Sequence, residues 1–432
     1  MLGLVTRYSL LGLGFWIMIA RPLEAQIRPA NQDESLVPAY TLADPLIGPD
    51  GKKITDRTDW QSHQKYLISL FANQVYGAMP NSAVEIKTEL IEEGIYQKQL
   101  ADSTPVRRRQ YAITLSRNSR STRVDLIVWS PTDTTQSYPC FLGLNFRGNQ
   151  SATEDPAVRI TTSWCDARSP GVIDHRATEA SRASQSDRWP IEDIVQRGYA
   201  VATVHYGDID PDFDDSFENG VHALFPDHRC TEQTPHLWGS IGAWAWGLSR
   251  VADVLQKTDG IHPDKLMVVG HSRLGKTALW AGANDLRFKI VFSNNSGCGG
   301  AALSKRFFGE SVAIINRAFP HWFNRNFRQY NDAESEMPFD QHQLIASLAP
   351  RPVYIASASQ DGWADPLGEL LAGHHASPAY ALFGLKGLDA SELPTTNQAI
   401  GNSIGYHLRE GVHDLTPLDW SMFMDFANRH GL

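Results

Sequence analysis

The sequence predicts a three-layer α/β fold, in which a mostly parallel central sheet carries helices on both faces. Short, nearly continuous apolar runs such as Leu266–Val269 are typical of strands that are covered on both sides. In the second half of the chain, helix-length segments alternate with these runs, as expected for βαβ units. The earlier runs follow one another without helices, which predicts that the sheet begins as an antiparallel meander.

The first 25 residues have the pattern of a secretory signal peptide. Arg7 gives a positive start, Ser9–Ala20 is apolar, and a Leu-Glu-Ala cleavage site precedes Gln26. Because the apolar stretch is short for a bilayer span, cleavage is favoured over a membrane anchor. We therefore expect a secreted or periplasmic protein without a membrane association after cleavage, and a single catalytic domain over residues 26–432.

Apolar spacing predicts the main elements of this domain in chain order. Helical spacing over Thr58–Val75 and Trp238–Gln256 predicts two covering helices. The predicted strands are Gln110–Leu115, Val124–Trp129, Tyr138–Phe146, Tyr199–Tyr206, Lys265–Gly270, Lys289–Ser293, Pro352–Ser357 and Ile404–Leu408. Two long segments without periodicity, Gly148–Arg188 and Gly207–His236, are expected to form lids or cleft walls, because loops of this length are usually functional.

Composition narrows the range of partners. The chain of 432 residues is 42% hydrophobic and 20% charged, which is ordinary for a globular protein. A net charge of −9 argues against a nucleic-acid partner or an anionic membrane. No Cys-x-x-Cys or His-Glu-x-x-His pattern occurs, so neither a metal site nor a cofactor is predicted, and we expect a monomer. In an exported chain, up to two disulfides are possible among four cysteines, Cys140, Cys165, Cys230 and Cys298.

Two motifs fit the stretch Gly270–Thr277. A strand, a tight turn and a helix-competent run place Ser272 at the apex of a nucleophile elbow, although Leu274 stands where G-x-S-x-G has its second glycine. The same letters match the phosphate-binding loop G-x-x-x-x-G-K-[ST]. An exported protein would lack its nucleotide, and no Mg²⁺-binding aspartate closes a later apolar strand. We therefore favour a hydrolytic serine.

A nucleophilic serine requires a base and an acid that orients the base. In the α/β-hydrolase fold these residues follow the serine in the order acid, then histidine. His413 comes after a glycine turn beyond the last strand, whereas His407 lies within the strand pattern and is expected to pack. Asp361 is the first candidate for the acid, and Asp365 is better interpreted as a helix N-cap before a proline.

The stretch around Ser272 resembles the G-x-S-R-x-G-K elbow of the glucuronoyl esterases, carbohydrate esterase family 15. This resemblance implies an α/β-hydrolase that cleaves esters of 4-O-methyl-glucuronic acid, as found in glucuronoxylan and in lignin–carbohydrate cross-links. It covers roughly residues 100–432 and is strongest toward the bacterial branch. Its further motifs are Ser296–Gly300, Phe319–Phe323, Asp340–His342, Asp361–Pro366, Gly405–His407 and His413–Leu415.

The resemblance implies a role for each matching catalytic position. Ser272 is expected to be the nucleophile, His413 the base, and Arg273 a donor to the oxyanion through its backbone N–H and guanidinium. Many members have a glutamate before Ser-Gly as the acid, but Asn295 stands there in this chain. Other members use an aspartate two residues before a tryptophan, which is Asp361 here. Activity is therefore expected to depend on Asp361, and the alternative for Arg273 is a surface ion pair.

Three further positions are implied to bind the glucuronate sugar. Lys276 and Glu310 offer polar contacts to hydroxyl and carboxyl groups, and Trp363 offers a flat apolar face for a pyranose ring. Each has a simpler alternative, namely a phosphate-loop lysine, a solvated helix glutamate and a core tryptophan. Two other functions also stay open: an acetyl- or feruloyl-type carbohydrate esterase, and a non-catalytic carbohydrate-binding relic.

Overall fold

A ten-stranded mixed sheet is the centre of the computed structural model, which describes residues 28–98 and 103–432. The expected signal peptide at residues 1–25 lies outside the described residues. The strands in chain order are β1 Glu85–Tyr96, β2 Val106–Arg117, β3 Arg120–Ser130, β4 Tyr138–Asn145, β5 Val172–Ile173, β6 Arg176–Ala177, β7 Ala200–His205, β8 Ile261–His271, β9 Phe288–Asn294, β10 Val353–Ala358, β11 Ala399–Gly401 and β12 Ile404–Arg409.

The sheet combines an antiparallel start with a parallel centre. Its strand order is β1-β2-β3-β7-β4-β8-β9-β10-β12-β11, and β5 and β6 form a separate hairpin. Strands β7, β4, β8, β9, β10 and β12 pair in parallel, whereas β1, β2 and β3 form the antiparallel meander at one edge. The carboxyl ends of β8, β9, β10 and β12 consequently meet at one edge, where open α/β sheets bind ligands.

Helices cover both faces of the sheet. The bounds of the helices in the described residues are α1 Arg57–Phe71, α2 Ile191–Gln196, α3 Tyr206–Ile209, α4 Ser240–Leu255, α5 Arg273–Asn284, α6 Val312–Ala318, α7 Gln341–Ala346, α8 Pro366–Ala381 and α9 Pro417–Arg429. The larger apolar core lies under α1, α4, α5, α7 and α8, and a second core lies under α2 and α9. None of these helices has both the length and the apolarity needed to cross a membrane.

Each central strand contributes to both cores, because successive side chains point to opposite faces. In β8, Leu266 and Val268 belong to the larger core, while Met267 and Val269 belong to the other. All four are almost inaccessible to solvent. The continuous apolar run in the sequence is therefore a strand with two buried faces, and the three-layer α/β prediction is confirmed.

The structure differs from the predicted elements at an edge strand, in one covering helix and at the cysteines. Strand β1 was not predicted, because its many charged residues give it no apolar run, as is common for an edge strand. The helix predicted over Thr58–Val75 ends as an α-helix at Phe71 and continues as a π-helical turn over Ala72–Tyr76. The four cysteines are all buried and unpaired, so no disulfide is present.

Candidate active site

Ser272 occupies a tight turn between β8 and α5. Its backbone has φ 58° and ψ −130°, a region that costs a non-glycine residue about 1–3 kcal/mol. A hydrogen bond from the Ser272 N–H to the Asn294 carbonyl, 2.9 Å long, holds the turn against the end of β9. Glycine is required at 270, because a Cβ there would collide with the carbonyl of Leu274. The strand, turn and helix of the nucleophile elbow are thus present.

The environment of Lys276 differs from that of a phosphate-loop lysine. Its ammonium group is buried and donates to the Ser296 carbonyl at 2.5 Å, and it lies 4.0 Å from a carboxylate oxygen of Glu310. The hydroxyl of Thr277 bonds back to the Arg273 carbonyl of its own helix. The Lys276 ammonium and the Thr277 hydroxyl are therefore not arranged around a phosphate loop: one lies beside Glu310 in a buried site, and the other is bonded to its own helix.

Asp361 and His413 meet at the carboxyl edge of the sheet. Asp361 follows β10, His413 follows β12, and Asp361 Oδ2 lies 2.6 Å from His413 Nδ1. Two backbone bonds tie the segments together, from Ser359 N–H to the Arg409 carbonyl and from Gln360 N–H to the Gly411 carbonyl. The pair is consequently set by the parallel neighbours β10 and β12.

Asn295 also contacts Asp361, with its side-chain Nδ2 donating to Asp361 Oδ2 at 2.8 Å. Burial opposes ionisation of Asp361, but the hydrogen bond and charge of His413, together with the Asn295 amide, outweigh it and lower the pKa of Asp361. The asparagine at the position of the missing glutamate thus supports the aspartate. His407 is fully buried in β12 and bonds to Asp419 at 2.9 Å, so it packs as expected.

A second histidine lies beneath His413. The rings of His271 and His413 have centroids 4.6 Å apart, and His271 Nδ1 is 2.6 Å from the Asn294 side-chain oxygen. Burial, and then the nearby charge of His413, lower the pKa of His271 well below its usual value. His271 is therefore a neutral ring that packs against His413.

The Arg273 guanidinium is held between a buried carboxylate and an aromatic ring. It pairs with Asp212 and lies over the Trp322 ring, 4.5 Å from its centroid. Asp212 also accepts hydrogen bonds from His321 Nε2 at 2.8 Å and from Trp322 Nε1 at 2.6 Å. The ion pair is therefore mostly enclosed rather than a solvated surface pair.

A cavity of about 340 Å³ opens beside Ser272. Its walls include Lys276, Glu310 and Trp363, together with Arg273, Asp361 and His413. The indole of Trp363 is 44% exposed, so it is not a core side chain. Burial raises the pKa of Glu310 against the opposing charge of Lys276, and burial lowers the pKa of Lys276. All seven predicted site residues line this one cavity.

A second cavity, of about 200 Å³, shares Ser272, Arg273 and His413 with the first. Its other walls are Phe146, Arg147, Asp166, Ser169, Gln185, Arg188, Tyr206 and His271. Asp166 to Arg188 belong to the predicted loop Gly148–Arg188, so this loop is a cleft wall. Within the described residues, no three His, Cys, Asp or Glu side chains are grouped to bind a metal.

Two buried carboxylates near the site, Asp212 and Glu369, could not be recognised as site residues from the sequence. Asp212, which holds Arg273, was only part of a segment predicted to be functional. Glu369 accepts hydrogen bonds from the backbone N–H groups of Ser296 and Gly297, at 2.8 and 3.0 Å, and thereby fixes the loop after β9. A lone glutamate in the first turn of a helix gives no signal of such a role. Asp365 caps α8 as predicted.

Comparison with known proteins places the chain among carbohydrate esterases. A family model described as glucuronyl esterase, fungi, matches residues 195–384. Carbohydrate esterase MZ0003, from an unknown prokaryotic organism, is 44% identical over 94% of this chain and 93% of its own length. A CE15 esterase from a marine bacterial metagenome has a solved structure with a TM-score of 0.85 at 43% identity, covering 93% of this chain and all of that chain. The glucuronoyl esterase of Solibacter usitatus has a TM-score of 0.83 at 38% identity, covering 92% and 99%.

Proposed function

The chain belongs to carbohydrate esterase family 15, the glucuronoyl esterases, and on that premise we propose that it hydrolyses esters of (4-O-methyl-)glucuronic acid through a Ser272–His413–Asp361 triad. The natural substrate class is a glucuronoxylan or lignin–carbohydrate ester. One observation carries the proposal: the proposed catalytic residues and the proposed sugar-binding residues line the same cavity. The hydrogen-bonded pair Asp361–His413 and Ser272 form one part of its wall, and Lys276 and Trp363 form another.

The proposed reaction has two steps that share one base. His413 takes the proton of the Ser272 hydroxyl as its oxygen attacks the ester carbonyl, and Asp361 stabilises the imidazolium that forms. His413 then gives the proton to the departing alcohol, and water hydrolyses the acyl-enzyme by the same route. Ser272 and His413 line the same cavity, and the hydrogen bond between a nucleophile and its base often tightens only when substrate binds.

The backbone N–H groups at the start of α5 and the Arg273 guanidinium are the proposed donors to the oxyanion. The first N–H groups of a helix have no intrahelical partner, and the Arg273 N–H follows the nucleophile directly. Asp212 and the Trp322 ring hold the guanidinium in one position, so little reorganisation is needed when charge develops. Loss of one such donor typically costs about 2.7–4 kcal/mol of barrier.

The first cavity accounts for the acid side of the ester. A pyranose ring can lie on the exposed face of Trp363, and the buried Lys276 and Glu310 can bond its hydroxyl groups. An acetyl group would leave most of the 340 Å³ unfilled and both polar side chains without a ligand. This favours a glucuronate ester over an acetyl ester, and the intact Asp361–His413 pair argues against a non-catalytic relic.

We further propose that residues 26–432 form one exported catalytic domain that acts as a monomer. All described strands between Glu85 and Arg409 except the β5–β6 hairpin share one sheet, which supports a single folding unit. The signal-like pattern of residues 1–25 supports export.

Hydrolysis of methyl glucuronate and of an aryl acetate, measured side by side, tests the function. The wild type should hydrolyse the glucuronate ester, and Ser272→Ala should lower its kcat by about 10⁶, as removal of a triad serine does elsewhere. The exposed Ser121→Ala on β3 is the matched control and should leave the rate unchanged. Near-normal turnover by Ser272→Ala would contradict a serine mechanism, and a strong preference for the acetate would support the alternative esterase.

A further inference from the structure

The second cavity meets the first only at the nucleophile. The two share Ser272, Arg273 and His413, and all of their other walls differ. An ester bound at Ser272 has its acid part on one side of the reacting carbon and its alcohol part on the other. Because His413 must give a proton to the departing alcohol, that alcohol has to lie beside His413. Once the sugar acid fills the first cavity, the second is the space available to the alcohol.

Among the arginine and aspartate side chains that line this second cavity, Arg147 alone has no direct ion-pair partner in the described residues. Arg188 pairs with Asp414 at 2.6 Å, Asp166 pairs with Arg168 at 2.6 Å, and Arg273 pairs with a buried aspartate. Among the residues that the structure describes, Arg147 has no acidic partner within salt-bridge distance. Its protein hydrogen bond runs from Nη1 to the Ser184 carbonyl at 3.2 Å.

Arg147 is half-buried, so its unpaired charge is not fully solvated. Burial, followed by repulsion from Arg188, lowers the pKa of Arg147, and the more distant charges of Asp166 and Asp414 oppose this only in part. A guanidinium keeps its charge in proteins even so, because its reference pKa is very high. Asp166 and Asp414 act on this charge only from beyond salt-bridge distance. A carboxylate on a ligand in this cavity could therefore form the direct ion pair that Arg147 lacks within the protein.

The segment that contacts Arg147 is held in place by backbone hydrogen bonds to a buried turn. The backbone N–H of Ala183 donates to the Gln150 carbonyl at 3.0 Å, and that of Gln185 donates to the Ser151 carbonyl at 2.8 Å. Gln150 and Ser151 are fully buried, so the Ser184 carbonyl that receives Arg147 lies in a fixed segment. The hydrogen bond to this carbonyl therefore holds one nitrogen of the guanidinium in place.

We propose that the second cavity binds the alcohol part of the ester and that Arg147 selects an alcohol bearing a carboxylate. The inference rests on the proposed esterase function. A guanidinium offers a planar fork of donors that matches a carboxylate in a bidentate arrangement. A neutral aromatic or aliphatic alcohol would leave this charge without a partner. A glucuronate ester of a neutral alcohol should therefore react more slowly than a glucuronate ester of an alcohol that bears a carboxylate.

Two esters that differ in one group test the inference: benzyl glucuronate and 4-carboxybenzyl glucuronate. The wild type should show a kcat/KM for the carboxylate ester that is higher by about tenfold or more, as a hydrogen bond between charged groups provides. Arg147→Gln should bring the ratio of the two kcat/KM values close to one, whereas Arg147→Lys should keep part of the preference. Arg120→Gln is the matched control, because exposed Arg120 also donates Nη1 to a backbone carbonyl, that of Ala223.

The outcomes separate this inference from the function on which it rests. A wild-type ratio near or below one, or a ratio that survives Arg147→Gln, would overturn the role of Arg147 while leaving the esterase in place. A loss of preference in Arg120→Gln equal to that in Arg147→Gln would also overturn it, since the effect would then be one of net charge. If the wild type hydrolyses neither ester, the proposed function fails and this inference with it.

Discussion

Replacement of Asp361 by asparagine is the most informative change at the proposed triad, because two donors share one of the Asp361 oxygens. His413 Nδ1 lies 2.6 Å from Asp361 Oδ2, and Asn295 Nδ2 lies 2.8 Å from the same atom. While Asn295 keeps its present orientation, with its NH₂ directed at this atom, an asparagine at 361 places its amide oxygen there, since its own NH₂ would face the NH₂ of Asn295. The variant should therefore retain the position and tautomer of His413 and lose only the negative charge.

This geometry sets the expected magnitude. A hydrogen bond to a charged group contributes about 1.5–3 kcal/mol, so Asp361→Asn should lower kcat by about 10–150-fold. Where an asparagine leaves the histidine in the wrong tautomer, the loss reaches about 10⁴. Removal of the Asn295 amide takes away the group that orients the introduced amide at position 361, so the double variant with Asn295→Ala should approach that larger loss. Asn295→Ala alone should lower kcat by less than about tenfold.

The assay is the initial rate of methyl glucuronate hydrolysis at saturating substrate, at the pH where the wild-type rate is constant. The four proteins form a double-mutant cycle, which isolates the coupling between positions 361 and 295. A loss near 10⁴ in the single Asp361→Asn variant, without a further loss in the double variant, would refute the role of Asn295 in orienting the amide. Wild-type kcat in Asp361→Asn would refute Asp361 as the acid.

Two other predictions concern the sugar side and the buried carboxylate of α8. Trp363→Ala should raise KM for glucuronate esters more than for small aryl acetates, because the indole faces the first cavity and is 44% exposed; equal effects on both substrates would contradict sugar stacking. Burial raises the pKa of Glu369 to about 7. The folded state therefore binds a proton at Glu369 that the unfolded state releases near pH 4.5, so Glu369 should contribute a fall in the free energy of unfolding of on the order of 3 kcal/mol as pH rises from about 4.5 to 7. Glu334 and Asp365 also have raised pKa values in this range, so wild type and variant are compared for the difference between their curves. Urea denaturation of Glu369→Gln across this range should lack that fall, and parallel curves for variant and wild type would contradict the assignment.

Local patterns determined the elbow and the order of its partners. The strand, the turn and the helix around Ser272 lie within a few residues of one another, so their apolar pattern and Gly270 are visible in the sequence. The places of Asp361 and His413 follow from strand order, because the ends of parallel strands meet at one edge. These inferences required only periodicity, turn residues and the known order of the fold.

The tertiary structure alone decided which polar groups pair across long separations. Asp212 holds Arg273 over 61 residues of chain, and Glu369 holds the loop after β9 over 73. Asn295 gives no sign in the sequence that it supports Asp361, and Arg147 gives none that it lacks an acidic partner. Hydrophobic periodicity reports which face of an element is buried, but the partner of a buried charge depends on where distant loops pack. For this protein, the turn that presents the proposed nucleophile is therefore encoded locally, whereas the pairing of the charged groups around it exists only in the folded chain.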